Sequence, residues 1–370
     1  MCYQPPASGL DRSRSRHLRK KGDTSMHMAD ALLSPAVGGT FWAATAGTIA
    51  WCAKKVQQDL DDRKIPLMGV LGAFIFTAQM INFTIPATGS SGHIGGGLLL
   101  AILLGPYAAF LTIASVLVVQ ALFFADGGLL ALGCNIFNLG VFSCFIAYPL
   151  LYKPLAGNGT SRTRIVIASI VAAIVGLQLG ALGVVGETVL SGIAELPLQA
   201  FLWAMLPIHL AIGLVEGLVT AAVVTFVWQA RPEILESAAT TRPLGSLPIA
   251  RVLAGLAVAA VLTGGVFSWF ASSFPDGLEW SIAQATGKDE LDEPAEGIYG
   301  LLAGFQEKTA FLPDYAFRTG EQAAAAEQAA EPAWPAVDSG TTVAGLVGGG
   351  LTLLVTIGLG LVFRKRRRTA

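Results

Sequence analysis

Nine apolar stretches limit what this chain can fold into. They fall at about 36–53, 66–86, 94–104, 107–124, 128–152, 165–187, 200–229, 249–271 and 342–363. A helix needs roughly 20 apolar residues to cross ~30 Å of hydrocarbon, and most of these stretches reach that length. With 53% hydrophobic residues, 13% charged residues and a mean hydropathy of +0.61 over 370 residues, the chain is far more apolar than a soluble protein of its size. The expectation is an all-α integral membrane protein with about seven segments in its first part and two in its second. A net charge of −1, with no sustained basic face outside the two ends, argues against nucleic-acid binding as its main role.

The stretch 94–104 is too short to span alone. It reads either as a half helix or as the start of one long helix over 94–124, kinked at Gly105-Pro106. The positive-inside rule separates the two readings. Lys54, Lys55, Arg63 and Lys64 place the first connecting loop in the cytoplasm, so His27 and the loop Pro86–His93 fall outside. Counting 94–104 and 107–124 as two crossings brings Lys153, Arg162, Arg164, Arg231, Arg242 and the terminal run Arg364–Arg368 to the cytoplasmic side. A single crossing would put Lys153, Arg162 and Arg164 outside.

That topology conflicts with residues 1–25, where Arg12, Arg14, Arg16, Arg19, Lys20 and Lys21 would have to be carried outward. The segment has no apolar core of the kind a secretory signal needs. It reads as a start assigned too early, with a leader that is later cut or a cytoplasmic N-terminus as the alternatives, and the functional chain is expected from Met26. Residues 26–230 then form the first membrane part, 231–248 a polar linker and 249–365 the second part. Residues 272–341, on the outer side, carry thirteen carboxylates against three cations, and their portion Glu321–Pro335 is of low complexity.

The chemistry concentrates in two places. In Met26-His27-Met28-Ala29-Asp30-Ala31-Leu32-Leu33-Ser34-Pro35 an imidazole directly follows a methionine and precedes the first span. If Met26 is the first residue, its α-amine, the His27 amide nitrogen and a His27 ring nitrogen close two chelate rings on one metal. Such a nitrogen-rich, flattened set suits Ni(II), Cu(II) and cobalt better than zinc, calcium or magnesium. The second place is Pro86-Ala87-Thr88-Gly89-Ser90-Ser91-Gly92-His93-Ile94-Gly95-Gly96-Gly97, on the same side of the membrane. Its glycines allow backbone to approach an ion, and a loop of this kind enters a membrane only where protein covers it. His93 can supply a fourth nitrogen. The structural alternative is that His93 hydrogen-bonds at a helix start while the glycines pack helices.

The chain has four histidines, His17, His27, His93 and His209, and only His27 and His93 are expected together at one face near a span entrance. His209 and Glu216, seven apart, share a face of one span. An intramembrane carboxylate marks a functional position by default, although docking or an interhelical hydrogen bond would also account for Glu216. Gln79, Asn82, Gln120, Asn135 and Asn138 are amides suited to interhelical hydrogen bonds, with Asn82 a candidate to orient His93. Cys2, Cys52, Cys134 and Cys144 form no CxxC pair, and Cys134 and Cys144 read as buried small hydrophobes. Hydrolytic motifs and a nucleotide-binding GxxxxGK[ST] are absent, so uphill transport would draw its energy from a partner or a gradient.

At these residues the chain resembles the CbiM/NikM family, the substrate-binding membrane components of cobalt and nickel energy-coupling-factor transporters. The likeness rests on MHMADALLSP at 26–35, KIPLMGVLGAFIFTAQMINFTIP at 64–86, TGSSGHIGGG at 88–97 and FFADGGLLALGCNIFNLG at 123–140. It implies a seven-helix protein in which Met26, His27 and His93 ligate Co(II) or Ni(II), an amine ligand that the N-terminal extension would remove. It also implies a transmembrane coupling component and cytoplasmic ATPases as partners. The second part, through Ser273-Phe274-Pro275-Asp276-Gly277-Leu278-Glu279-Trp280 and Leu312-Pro313-Asp314-Tyr315, resembles the accessory PDGLE domain of the same systems. On its residues alone, Pro-Asp-Gly is a good turn, and Asp276 and Glu279 could meet a cation only transiently.

The reading is a substrate-capture component for cobalt or nickel uptake across the plasma membrane, without enzyme activity or a permanently bound cofactor. The metal site and the 272–341 loop are expected outside and the C-terminus in the cytoplasm. A gradient-driven permease acting alone, built around Glu216, is the rival. An intramembrane enzyme or sensor using Cys134, His209 and Glu216 is a third reading.

Overall fold

The computed structural model describes residues 27–59, 61–157, 161–194, 196–240, 243–244, 248–288, 291, 296–318 and 334–369. Met26, His17, Cys2, the basic leader and nearly all of the low-complexity portion lie outside them. Among the described residues the regular structure is helical apart from one short hairpin. Its first part contains α1 (Pro35–Asp59), α2 (Lys64–Gln79), strands β1 (Phe83–Ile85) and β2 (Ser90–Gly92), α3 (Gly97–Leu104) and α4 (Pro106–Phe124). These are followed by α5 (Leu132–Ile136), a wider helical run Phe137–Tyr152, α6 (Lys153–Ala156), α7 (Arg162–Ser191), α8 (Leu198–Ala230) and α9 (Pro232–Thr240). The second part contains α10 (Ala250–Gly265), α11 (Gly277–Thr286), α12 (Ile298–Thr309) and α13 (Ser339–Thr369).

Among the described residues, five helical segments are long and apolar enough to cross a membrane: Pro106–Phe124, Leu132–Ala156, Arg162–Ser191, Leu198–Ala230 and Ser339–Lys365. Lys64–Gln79 and Ala250–Gly265 are shorter apolar helices, each rising about 24 Å at 1.5 Å per residue. The break expected at Gly105-Pro106 is real, since α3 ends at Leu104 and proline opens α4. All eight residues of α3 are buried, as suits a helix that is apolar on every side and enclosed by protein. Within Leu132–Ala156, the turns from Phe137 to Tyr152 widen to i→i+5 hydrogen bonding, a form that recurs near functional positions.

Two refinements follow. The stretch 66–86 is helical only to Gln79, after which Phe83–Ile85 pairs antiparallel with Ser90–Gly92. The segment 272–318 is also not an appendage, because it contains α11 and α12 and lies on the first part of the chain. Helices α10 and α13 pack against α2, and α11 packs against α8.

The contacts sort the connections into two ends. At one, Lys153 Nζ donates to the Ala239 carbonyl at 3.1 Å, Arg231 Nε donates to Pro248 O at 3.0 Å, and Arg364 pairs with Asp62 at 3.0 Å. Lys153, Arg231 and Arg364, three of the basic residues used for the topology, make these contacts. At the other end lie His27, the hairpin, the loop 125–131 and the segment 272–318.

Candidate metal centre

The stretch after His27 is built to be held down. Met28, Leu32 and Leu33 are fully buried in a cluster with Leu130, Phe201 and Met205, which fixes the chain ahead of α1. Polar contacts set the register. Asn135 clamps Met28 from both sides, with Oδ1 accepting from Met28 N at 3.1 Å and Nδ2 donating to Met28 O at 3.2 Å. Asp30 accepts from Ala131 N at 2.8 Å, and Tyr299 Oη donates to Leu33 O at 2.7 Å. Asn135 therefore orients the N-terminal segment rather than pairing two spans.

His27, only 6% exposed, is delivered to the wall of a cavity of about 90 Å³. That is several times the roughly 10–15 Å³ that one water needs on the same measure. His93 lines the same wall, and the two imidazole centroids are 5.3 Å apart. His209, Asn138 and Asp276 also face the cavity. Thus the structure brings His27 and His93 together and adds His209. It separates His209 from Glu216, which turns instead to the backbone of Gly95 and Gly96. The Asn82 backbone carbonyl accepts from Ser272 N at 2.7 Å.

The ring nitrogens have distinct partners. His93 Nδ1 is 3.1 Å from the Ile94 carbonyl and His209 Nδ1 is 2.8 Å from the Met205 carbonyl. A carbonyl only accepts, so Nδ1 carries the proton in both rings, and in the neutral imidazole Nε2 then holds the lone pair. His27 Nδ1 lies 3.1 Å from Asp126 Oδ1. Tyr315 Oη donates to the other Asp126 oxygen at 2.6 Å. Burial works against the charged imidazole of His27, but the Asp126 carboxylate, reinforced by Asp276, overrides it and holds the pKa above its ordinary 6.5. Burial also works against the Asp126 carboxylate, and His27 together with the Tyr315 hydroxyl pulls its pKa below the usual range.

Asp276 reaches the cavity from the second part of the chain. It caps α11 through a reciprocal box, accepting from Glu279 N at 2.8 Å while Glu279 accepts from Asp276 N at 3.3 Å. The turn expected of Pro-Asp-Gly is therefore present, and it lies at the site. Asp276 is 4% exposed, and burial pushes its carboxyl pKa well up. Ser91 N and Ser91 Oγ donate to Pro275 O and Phe274 O, both at 2.8 Å, and Trp280 Nε1 donates to Thr88 O at 3.0 Å. Gly277 fits because a side chain there would press on Ile208 and Ile212 of α8.

Asp126, Tyr315 and the buried Glu187, whose carboxylate accepts from Asn138 Nδ2 at 2.9 Å, escaped the sequence reading. Asp126 and Glu187 carried a usable signal, since each is a lone acid at the end of an apolar run. Among the described residues, no set of three or more His, Cys, Asp and Glu side chains forms a ready metal-holding group. A four-coordinate centre on His27 and His93 therefore has to draw on other donors.

Comparison with known proteins adds independent findings. The profile of CbiM, the cobalt uptake substrate-specific transmembrane region, matches residues 27–234, and that of the PDGLE domain matches 250–365. The putative fused nickel transport protein NikMN of Archaeoglobus fulgidus is 31% identical over 350 residues, covering 93% of this chain and 100% of its own length. The fused nickel transport protein NikMN of Rhodobacter capsulatus is 31% identical, covering 79% of this chain and 88% of its own. The cobalt transport protein CbiM of Sorangium cellulosum is 29% identical over 57% of this chain and 95% of its own. A crystal structure of a transition metal transporter aligns with a TM-score of 0.50 and 31% identity, over 57% of this chain and 98% of that one.

Proposed function

We propose that this chain, which belongs to the CbiM family of cobalt-uptake substrate-specific transmembrane proteins and carries a PDGLE domain, captures Co(II) or Ni(II) at His27 and His93 for ATP-driven uptake. The observation that carries the reading is the approach of these two imidazoles to 5.3 Å at a buried cavity, although 65 residues separate them in the chain. Met26 contributes its α-amine once it stands first in the mature protein, and the His27 amide nitrogen completes the set. A chelate through the residue's own amide closes a six-membered ring only through Nδ1. The ion therefore takes Nδ1 from Asp126, its partner in the metal-free site.

The end bearing the site faces outward and the basic end faces the cytoplasm, in keeping with the positive-inside rule. Asp276 and Gly277 of the Pro275-Asp276-Gly277 turn line the cavity, which supports a role for the PDGLE part in governing entry. Energy comes from a transmembrane coupling component and cytoplasmic ATPases. The family relationship supports this, and no phosphate-binding loop occurs in the chain. Glu216 has its two carboxylate oxygens on backbone amides, which weakens a permease built around that residue.

The test is uptake of radioactive Ni(II) or Co(II) into cells or proteoliposomes holding the chain with and without such partners. Uptake should need ATP hydrolysis by the partners and fail in His27→Ala and His93→Ala. Uptake by the chain alone, driven by an ion gradient, would contradict the coupling.

A further inference from the structure

Glu216 is a carboxylate within a membrane span, 2% exposed, and a charge placed there is costly unless it is compensated. Its compensation is specific. Oε2 accepts from Gly95 N at 2.8 Å and Oε1 accepts from Gly96 N at 3.0 Å. These amides stand just ahead of α3, where no helical carbonyl is available to them and where negative charge is favoured. Gly96, at φ +80°, adopts a conformation that side chains rarely accept.

The Gly95 amide has a second significance. Gly95 N–H and Ile94 C=O are the two ends of one trans peptide group and point in opposite directions. The Ile94 carbonyl accepts from His93 Nδ1 at 3.1 Å. A single peptide plane is thus gripped at its N–H by Glu216 and at its oxygen by the His93 ring. The neighbouring Gly95 carbonyl accepts from Gln79 Nε2 at 2.9 Å, and Gln79 Oε1 accepts from Gln120 Nε2 at 2.9 Å, so the plane cannot readily turn. A carboxylate drawing on the N–H end polarises the carbonyl end and strengthens its hold on the imidazole N–H.

The geometry points to Glu216 as the positioning residue of His93: acting through the Ile94–Gly95 peptide, it fixes the proton on Nδ1 and presents Nε2 to the cavity. Many metal-binding histidines are oriented by a carboxylate or carbonyl at their other nitrogen. Here both are used in series. The value of the arrangement for metal binding rests on the reading of His93 as a ligand, whereas the tautomer itself does not.

The test uses the full chain in detergent, with Glu216→Gln as a near-isosteric change. The amide side chain keeps one acceptor oxygen for two backbone N–H groups and turns an NH2 toward the other, so the paired, charged grip on Gly95 and Gly96 is lost. In ¹⁵N-histidine-labelled, metal-free protein, with the His93 signals assigned by His93→Ala, the wild type should show a protonated Nδ1 and an unprotonated Nε2. Glu216→Gln should mix the tautomers. Titration with Ni(II) should show an affinity loss of about 10- to 100-fold, and Glu216→Gln should cost nothing further in a His93→Ala background. An unchanged His93 spectrum in a folded Glu216→Gln protein would overturn the proposal, as would losses that simply add. Unchanged Ni(II) affinity in His93→Ala would instead overturn the ligand reading and leave the tautomer result to stand. If Glu216→Gln does not fold, Gln79→Glu offers the same reading from the other side, placing an acceptor against the Gly95 carbonyl. It should shift the His93 signals, and unshifted signals would overturn the proposal.

Discussion

Gly277→Ala should release bound metal faster without unfolding the protein. A Cβ at this position would lie 2.6 Å from Ile208 Cγ2 and 3.1 Å from Ile212 Cδ1. Carbon atoms prefer about 3.5–4.0 Å, so roughly 1 Å of overlap has to be relieved. Overpacking of this kind costs about 1–3 kcal/mol. The hydrogen bonds that hold the turn are three from Ser91, whose Oγ is shared between Phe274 O and Pro275 O, and one from Trp280, each worth about 1 kcal/mol net. Their sum is comparable to the penalty, so the turn yields before the bundle does. A cost of 1–3 kcal/mol corresponds to a rise of about 5- to 150-fold in the population with the turn lifted. The assay is stopped-flow removal of Ni(II) or Co(II) by a chelator, followed by the absorbance of the bound ion. Release and capture should both accelerate by that factor, while equilibrium affinity stays nearly constant. Unchanged release from folded Gly277→Ala would show that the turn does not cover the path of the ion.

Three further outcomes are expected. His93→Ala should lose high-affinity metal binding and remain inserted and folded, whereas His209→Ala should be milder, because its ring is tied to its own helix at Met205; ion content after gel filtration measures both. Metal binding should weaken as pH falls through a point above 6.5, where His27 gains its proton. Asp126→Asn should move that limb to lower pH by removing the main opposition to burial, which titration calorimetry at several pH values would measure. By the same linkage, the His27–Asp126 pair stabilises the metal-free fold fully between the ordinary carboxylate value of 3.8 and the ordinary imidazole value of 6.5, losing that contribution as pH rises through the raised pKa of His27 or falls through the lowered pKa of Asp126. Thermal melts of Asp126→Asn should therefore differ most from wild type at mildly acidic pH, between the two ordinary values, and converge at alkaline pH.

The bundle is legible in the sequence because lipid demands long apolar helices, and the break at Gly105-Pro106 announces itself through proline. The sharing of one end by His27 and the Pro86–Gly97 loop follows from counting charges between spans. What stays hidden is long-range and polar. Nothing local in Leu312-Pro313-Asp314-Tyr315 points to Asp126, 189 residues away, and the capping turn at Asp276 has the same sequence whether it lies in solvent or over a cavity. The hairpin at 83–92 is short and rich in Ser, Thr and Gly, so no alternation of apolar residues marks its register. Glu216 is conspicuous as a buried charge, yet its partners are backbone amides, which have no side-chain signature.

The most direct measurement of the central claim is X-ray absorption at the nickel edge of the loaded protein. The account predicts a first shell of nitrogen donors with multiple scattering from two imidazoles, reduced to one in His93→Ala. A shell dominated by carboxylate or water oxygens, or a two-imidazole signal that persists in His93→Ala, would contradict it.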